Sequence, residues 1–382
     1  MKILQTIGGF GLKSGGTTTC TYDLLRYMRN STECRVDILT PNVNSANDTL
    51  AGNGEDWIKV VENDYKTPLS ISKNIRQFLR SSDYDLYHTN GLWMYANHIT
   101  AKIAREKGKP FVLTPHGMLY PEALSRSAWK KKIMGTLWIN KDIMDATCIH
   151  ATCKPEVEVI RKFGYKGPIA QIPNPVPLFD YFENISVERE KSIGFLGRLH
   201  PRKNVHSLIQ AWIHLGEKVK DAKLIIMGTG SPEYENQLKE LASHCAYKNI
   251  IFKGFISGRE KYETLAIMRA LCVPSDFENF GMIVTEALSV GTPVIASYGT
   301  PWEELNTERC GWWIDATVEN IAAAIDQALS LSGDEVVSLG DNGKRLVAEK
   351  YSAEKVAQMM AQLYQWLLSE CERPEFVYGS KI

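Results

Sequence analysis

The chain reads as an α/β protein built of two Rossmann-like domains, each a doubly wound parallel sheet, facing a cleft. Three observations predict this. From Lys2 to Ile172, short apolar runs alternate with longer stretches of helical periodicity, which is the rhythm of parallel strands joined by crossover helices. That rhythm stops at Pro173-Asn174-Pro175-Val176-Pro177 and through the charged, aperiodic stretch 180–191, then restarts at Ser192, so the interdomain linker is expected there. Finally, 382 residues are too many for one ordinary core and suit two.

In order, the first half is expected to run strand Lys2–Ile7, a glycine-rich loop Gly8–Gly16, helix Thr17–Met28 and strand Arg35–Leu39. Helix Ile71–Leu79, strand Tyr84–His88, helix Asn97–Lys107, strand Phe111–Leu113 and a long helix Ala128–Met144 follow. Strands Thr147–His150 and Ile169–Ile172 complete it. The second half is expected to hold strands Ser192–Leu196, Lys223–Met227, Ile250–Phe255, Ala270–Val273 and Pro293–Ser297. Between them lie helices Val205–Leu215, Tyr234–Ala242, Lys261–Ile267 and Met282–Val290, and three helices end the chain: Val318–Leu331, Asp334–Glu349 and Ala353–Cys371.

Composition excludes several classes. Hydrophobic residues at 44% and charged residues at 23% suit a globular protein, and 44 Lys and Arg balance 44 Asp and Glu, so no overall field points to nucleic acid. The eight cysteines are scattered without a C-x-x-C pair, which predicts free thiols in a reducing compartment rather than disulfides or zinc. No apolar run approaches a membrane span, and the first residues do not form a signal peptide. A cytoplasmic protein is expected, peripheral on the inner face of the membrane if it meets a membrane at all.

The segment Pro274 to Leu288 carries the most chemistry. A buried strand should end at Pro274-Ser275, and Gly281 should open a helix that stops at Gly291-Thr292-Pro293. Backbone N–H groups around Asn279, Phe280, Gly281 and Met282 then lie at a helix start, where an anion such as a diphosphate is favoured. Glu286 within the helix is placed to accept from a ribose, and Glu278 before it to reach a sugar. Arg198 and Lys203 follow a strand end in Gly197-Arg198-Leu199-His200-Pro201-Arg202-Lys203. Fixed cations there would stabilise the charge that develops on a departing diphosphate. Solvated basic residues in a turn, and a chance glutamate pair, are the plain alternatives. Asp83-Tyr84-Asp85 has the look of a metal motif but precedes and enters its strand, so it is expected to be structural; no metal and no cofactor are expected. From Ala123 to Lys141 five basic residues (Arg126, Lys130, Lys131, Lys132 and Lys141) occur with no acidic one, and Trp129, Ile133 and Leu137 recur every fourth position beside Trp138. Either a membrane-surface helix or a core-facing stripe with solvated lysines fits.

The Glu278–Glu286 segment resembles the E-x7-E signature of the retaining GT-B glycosyltransferases of the large family 4 (group 1). Other motifs resemble that family in the same order. Gly197-Arg198-Leu199 with Lys203 looks like its G-R-L element, Ile226-Met227-Gly228-Thr229-Gly230 like its strand-Gly-x-Gly turn, and Ile172-Pro173-Asn174-Pro175-Val176 like its hinge. Phe252-Lys253-Gly254-Phe255 resembles the strand that borders the nucleobase, placing Gly228 and Phe255 at the donor. The resemblance implies that His116, in Thr114-Pro115-His116-Gly117, meets sugar or acceptor, where the residues alone fit a satisfied structural histidine equally well, and that Gly15-Gly16 is the family's N-terminal loop against phosphate or acceptor. It also implies domains 1–177 and 178–357, with the last helix, 358–382, packing back on the first. Pro175 stands where the family more often has Gly. The tail Gly299 to Leu305 with Trp312 and Trp313 looks like the version in bacterial envelope-polysaccharide transferases, and its tryptophans face either a sugar or the core. The resemblance thus implies a retaining, metal-independent hexosyltransferase that takes a UDP- or GDP-sugar as donor. A growing surface glycan, such as a lipid-linked saccharide of polysaccharide or lipopolysaccharide biosynthesis, would be the acceptor. A phosphorylase or synthase with another acceptor, and a nucleotide- or glycan-binding scaffold with a dead site, are the rivals.

Overall fold

The computed structural model describes all residues except 12–14, 42–48, 53, 64–68, 70, 126, 179–188 and 380–382, together with the side chain of Lys130. Most of the 180–191 linker and Arg126 therefore lie outside the described residues. The chain divides into two compact units, Met1–Pro177 with Ala353–Ile382, and Leu178–Ser352. The strands of the first are β1 (Lys2–Ile7), β2 (Arg35–Pro41), β3 (Ile58–Val61), β4 (Leu86–Asn90), β5 (Phe111–Thr114), β6 (Cys148–Ala151) and β7 (Ile169–Gln171). The second contains β8 (Ser192–Leu196), β9 (Lys223–Met227), β10 (Ile250–Gly254), β11 (Ala270–Val273), β12 (Val294–Ser297) and β13 (Gly311–Ile314). Strand β14 (Val377–Tyr378) returns to the first unit.

Both sheets have the doubly wound order. In the first it is β14-β7-β6-β5-β4-β1-β2-β3, and in the second β10-β9-β8-β11-β12-β13. All pairs are parallel except β14 against β7. Strand order thus reverses between β1 and β4 in one unit and between β8 and β11 in the other. Ligands of such sheets bind beyond the carboxyl ends of the strands at that reversal. The central strands are continuous buried runs because helices cover both faces.

The returning segment begins at Ala353 rather than at 358. Its helix, Ala353–Leu367, lays Val356, Met360, Leu363 and Tyr364 into one cluster with Leu24, Leu25 and Met28 of the helix Gly16–Ser31. Ser72 caps the second helix through Ile75 N (3.3 Å), which therefore starts at Lys73 and runs to Ser81. The long helix expected over 128–144 is Ala128–Met134, a π-turn Gly135–Ile139 and Asn140–Met144. The sequence pattern predicts neither the strands β3, β13 and β14 nor the helix Lys154–Phe163. The three strands are edge or near-edge pieces of two to four residues, too short to show a period.

The ends of β8 and β9 approach closely. Gly228 has φ +130°, and a Cβ there would lie 1.8 Å from the Gly197 carbonyl oxygen. Gly197 N donates to Met227 O (3.0 Å) and Leu199 N to Thr229 O (2.9 Å), so the turn after β9 fixes the course of the segment bearing Arg198. We expect Gly228→Ala to destabilise the chain by ~3 kcal/mol or more, since both the φ and the contact oppose it. Urea unfolding that gives a native midpoint for the variant would contradict this.

Candidate active site

In the second unit the segments after β8 and β11 meet at the reversal of strand order. After β8 the chain passes exposed Arg198 and makes a single 3-10 turn, Pro201–Lys203, closed by Asn204 in the left-handed region. After β11 it runs Pro274 to Phe280 and enters the helix Met282–Ser289 through Gly281, at φ 77° and ψ 62°. The two segments are tied together. Asp276 N donates to Arg202 O (2.9 Å), and the Arg202 guanidinium lies 5.3 Å from the centre of the Phe277 ring. Lys203 Nζ donates to Glu278 Oε1, which also accepts from Ser275 Oγ (2.9 Å). The cation predicted for phosphate and the glutamate predicted for sugar are therefore ion partners.

The first amide to close the helix is Val284 N, onto Gly281 O at 2.9 Å, so the amides of 281–283 stand ahead of the first turn, at the positive end of the helix dipole. Trp302 Nε1 donates to Phe280 O (2.5 Å) and pins that entry. The Phe280 side chain is 5% exposed and packs edge-on against Trp302 and against Tyr351, so what Phe280 can offer a ligand is its backbone N–H. Asn279 and Met282 flank Gly281, both half-buried. Glu286 is buried, and Lys261 Nζ of the helix Gly258–Ala266 reaches its Oε1 at 2.8 Å. Sequence reasoning missed Lys261, because a lysine on another helix leaves no spacing signal. Phe255, just past β10, is 73% exposed, an apolar ring left in solvent at a strand's carboxyl end.

In the first unit, His116 follows β5 at φ 50°. The buried Glu156 holds this strained turn: its Oε1 accepts from Gly117 N (2.6 Å), and its Oε2 from Thr152 N (2.8 Å) and Thr152 Oγ1 (2.9 Å). His116 Nε2 lies 3.0 Å from Asn90 Oδ1 at the end of β4. Together with Cys20, Thr21, His88, His150 and Asn174 it lines one pocket. Gly15, at φ 93°, caps the helix that Gly16 begins, and its carbonyl accepts from Thr18 N (3.1 Å). Residues 12–14 of that loop are outside the described set. Burial lowers the imidazoles of His88, His116 and His150; His116 falls to about 3 and His150 to about 4.

Trp129, Ile133 and Leu137 are 66%, 52% and 64% exposed, so their stripe faces solvent and is not core. Trp302 is buried, Trp313 Nε1 donates to Thr300 O (3.0 Å) and Trp312 Nε1 to Gln327 (2.9 Å), so these tryptophans are held by the fold itself. Asp85 accepts from Lys2 N (2.7 Å), Asp83 lies 3.9 Å from Lys109 Nζ, and Tyr84 donates to Asp37 (2.8 Å). All eight cysteines are free.

Comparison with known proteins matches the family model "Glycosyl transferases group 1" to residues 179–363 and "Glycosyltransferase Family 4" to residues 14–178. An uncharacterized glycosyltransferase of Methanocaldococcus jannaschii is 31% identical over 179 residues, 46% of this chain and 45% of that protein. The GDP-mannose-dependent alpha-(1-6)-phosphatidylinositol monomannoside mannosyltransferase of Mycobacterium tuberculosis is 26% identical over 200 residues, 50% of this chain and 51% of its own. The chain thus spans about half the length of these curated relatives. The crystal structure of Anabaena HepE in complex with UDP and glucose has the same fold, with a TM-score of 0.73 at 17% identity over 96% of this chain and 100% of that one.

Lys261→Ala leaves the Glu286 carboxylate largely buried without its cation. We expect a loss of ~2 kcal/mol in urea unfolding, whereas native stability would show that water replaces the lysine. A second expectation concerns pH. Below the ordinary histidine value of 6.5 the unfolded chain takes up protons that buried His88 and His150 refuse, so stability declines as pH drops toward the folded value of about 4 for His150. The slope should reach about 1.4 kcal/mol per pH unit for each imidazole. Urea midpoints at about pH 7.5 and about pH 5.5 measure it, and His150→Gln should flatten it; an equally steep slope in the variant would contradict the assignment.

Proposed function

The chain belongs to the group 1, or family 4, glycosyltransferases of the GT-B fold, and from that premise we propose that it is a retaining, metal-independent hexosyltransferase. Its donor is a UDP- or GDP-hexose, and its acceptor a growing cell-surface glycan on a lipid carrier, as in polysaccharide or lipopolysaccharide biosynthesis. One observation carries this reading. Lys203, Glu278 and the start of the helix Met282–Ser289 are gathered where strand order reverses, beyond β8 and β11. That is where a doubly wound sheet binds a nucleotide. The relatives support the donor class, one being described as GDP-mannose-dependent and one fold neighbour having been solved with UDP and glucose.

The roles follow from the chemistry. The diphosphate sits on the amides of 281–283, with Lys203 and Arg198 on its oxygens; fixed cations favour the charge that grows as it departs. Lys203 exchanges its resting partner Glu278 for phosphate, which frees the Glu278 carboxylate to accept from sugar hydroxyls. Glu286, oriented by Lys261, takes the ribose, and Phe255 gives the base an apolar face. The bond between the anomeric carbon and the diphosphate oxygen breaks. The acceptor oxygen bonds on the same face, and its proton passes to the departing phosphate. In the first unit, the pocket at His116, beside the Gly15-Gly16 loop, recognises saccharide.

The apolar stripe Trp129-Ile133-Leu137, with Lys132 and Lys141 beside it, is the surface proposed to rest on an anionic bilayer and so reach a lipid-linked acceptor. We expect the protein to sediment with vesicles containing anionic lipid, and Leu137→Glu to weaken this by about tenfold; equal sedimentation of the variant would remove the stripe from the interface. The catalytic proposal is tested by incubating UDP- and GDP-hexoses with lipid-linked saccharide acceptors in EDTA and determining the product anomer. Transfer with retention in EDTA is expected. Inversion, or an absolute need for a divalent ion, would overturn it.

A further inference from the structure

Eight groups in the first unit form one hydrogen-bonded chain across the sheet. His150 Nε2 lies 2.7 Å from Ile172 O, and its Nδ1 lies 2.8 Å from Thr114 Oγ1. Thr114 Oγ1 meets His88 Nε2 at 2.6 Å, and His88 Nδ1 meets Tyr364 Oη at 2.7 Å. Tyr364 Oη accepts from Gln5 Nε2 (2.8 Å), Gln5 Oε1 from Asn90 Nδ2 (2.7 Å), and Asn90 Oδ1 reaches His116 Nε2. Gln5, His88, Asn90, Thr114, His150 and Tyr364 are all buried.

One end fixes the polarity of every link. A backbone carbonyl only accepts, so His150 Nε2 carries hydrogen. With the ring neutral, His150 Nδ1 accepts and the Thr114 hydroxyl donates to it. Thr114 Oγ1 must then receive from His88 Nε2, which leaves His88 Nδ1 to receive from the Tyr364 hydroxyl. Having given its hydrogen, Tyr364 Oη can only accept from Gln5, so the Gln5 amide shows its oxygen to Asn90. The Asn90 amide in turn shows its oxygen to His116. The amide orientations are thus forced by Ile172 and do not rest on the indistinguishable shapes of amide oxygen and nitrogen. Desolvation lowers all three imidazoles and so favours their neutral forms.

We propose that Tyr364, on the returning helix, is a positioning residue: through Gln5 and Asn90 it holds His116 in the Nε2–H tautomer, so that Nδ1 presents a lone pair to a hydroxyl of the bound saccharide. The saccharide part rests on the proposed function; the tautomer does not. In Tyr364→Phe, Gln5 loses the acceptor for its N–H, nothing holds the orientation of the two amides, and His116 becomes free to carry hydrogen on either nitrogen. His116 itself is recognised as a hydrogen-bond acceptor, not as a cation.

The test is long-range 1H–15N NMR at neutral pH on the full chain labelled at its eight histidines, with His116 assigned from the resonances missing in His116→Gln. The native protein should show His116 neutral with hydrogen on Nε2 alone. Tyr364→Phe should show averaged nitrogens at His116, and kcat lower by about tenfold with little change in donor KM. Hydrogen on Nδ1 of native His116, or an unchanged His116 pattern in folded Tyr364→Phe, overturns the proposal. If Tyr364→Phe does not fold, the native spectrum alone decides. Should the tautomers be as expected while His116→Gln transfers sugar at the native rate, the relay stands and the saccharide role of His116 is what fails.

Discussion

The reversal of strand order in each sheet is the constraint from which the rest follows. Neighbouring parallel strands whose crossovers go to opposite faces leave the backbone beyond their carboxyl ends uncovered, and polar side chains accumulate there because nothing else packs on them. In the second unit this places the turn Pro201–Lys203 beside the entry to the helix Met282–Ser289. In the first it places Asn90 and the start of the Gly16–Ser31 helix at the corresponding reversal between β1 and β4. Gly228 lets the turns after β8 and β9 touch, and Trp302 pins the carbonyl ahead of the helix. Core and site are therefore one construction.

Charge compensation runs through the resting protein. Lys203 is held by Glu278, Lys261 by Glu286, and the buried Glu156 by three hydrogen bonds. A desolvated charge without a partner would cost several kcal/mol, and each of these pairings avoids that cost. The buried polar chain of the first unit follows the same logic with neutral groups. Each link is worth about 1 kcal/mol, but an unpaired member would cost more than a link contributes.

Strong periodicity made the strands β1, β2, β8, β9 and β11 and their crossover helices legible in the sequence, and glycine and proline marked where each ended. Arg198, Lys203, Glu278 and Gly281 stand out as candidates through the family resemblance of the segments beyond β8 and β11 rather than through their spacing alone. Lys261 does not, since its pairing with Glu286 exists only once two helices are adjacent. Neither does the chain from Ile172 to His116, whose members come from five strands or their ends and the last helix. The stripe Trp129-Ile133-Leu137 has the spacing of a core face, and only burial tells it from a surface one.

The central claim is that a nucleoside diphosphate binds beyond β8 and β11 and takes Lys203 from Glu278. Calorimetric titration of UDP and GDP into the native chain and into Lys203→Ala tests it most directly. The account predicts that one nucleotide binds the native chain and that the variant binds it at least about tenfold more weakly, the loss of a charge-assisted contact to phosphate. Equal affinity in the two proteins would contradict it.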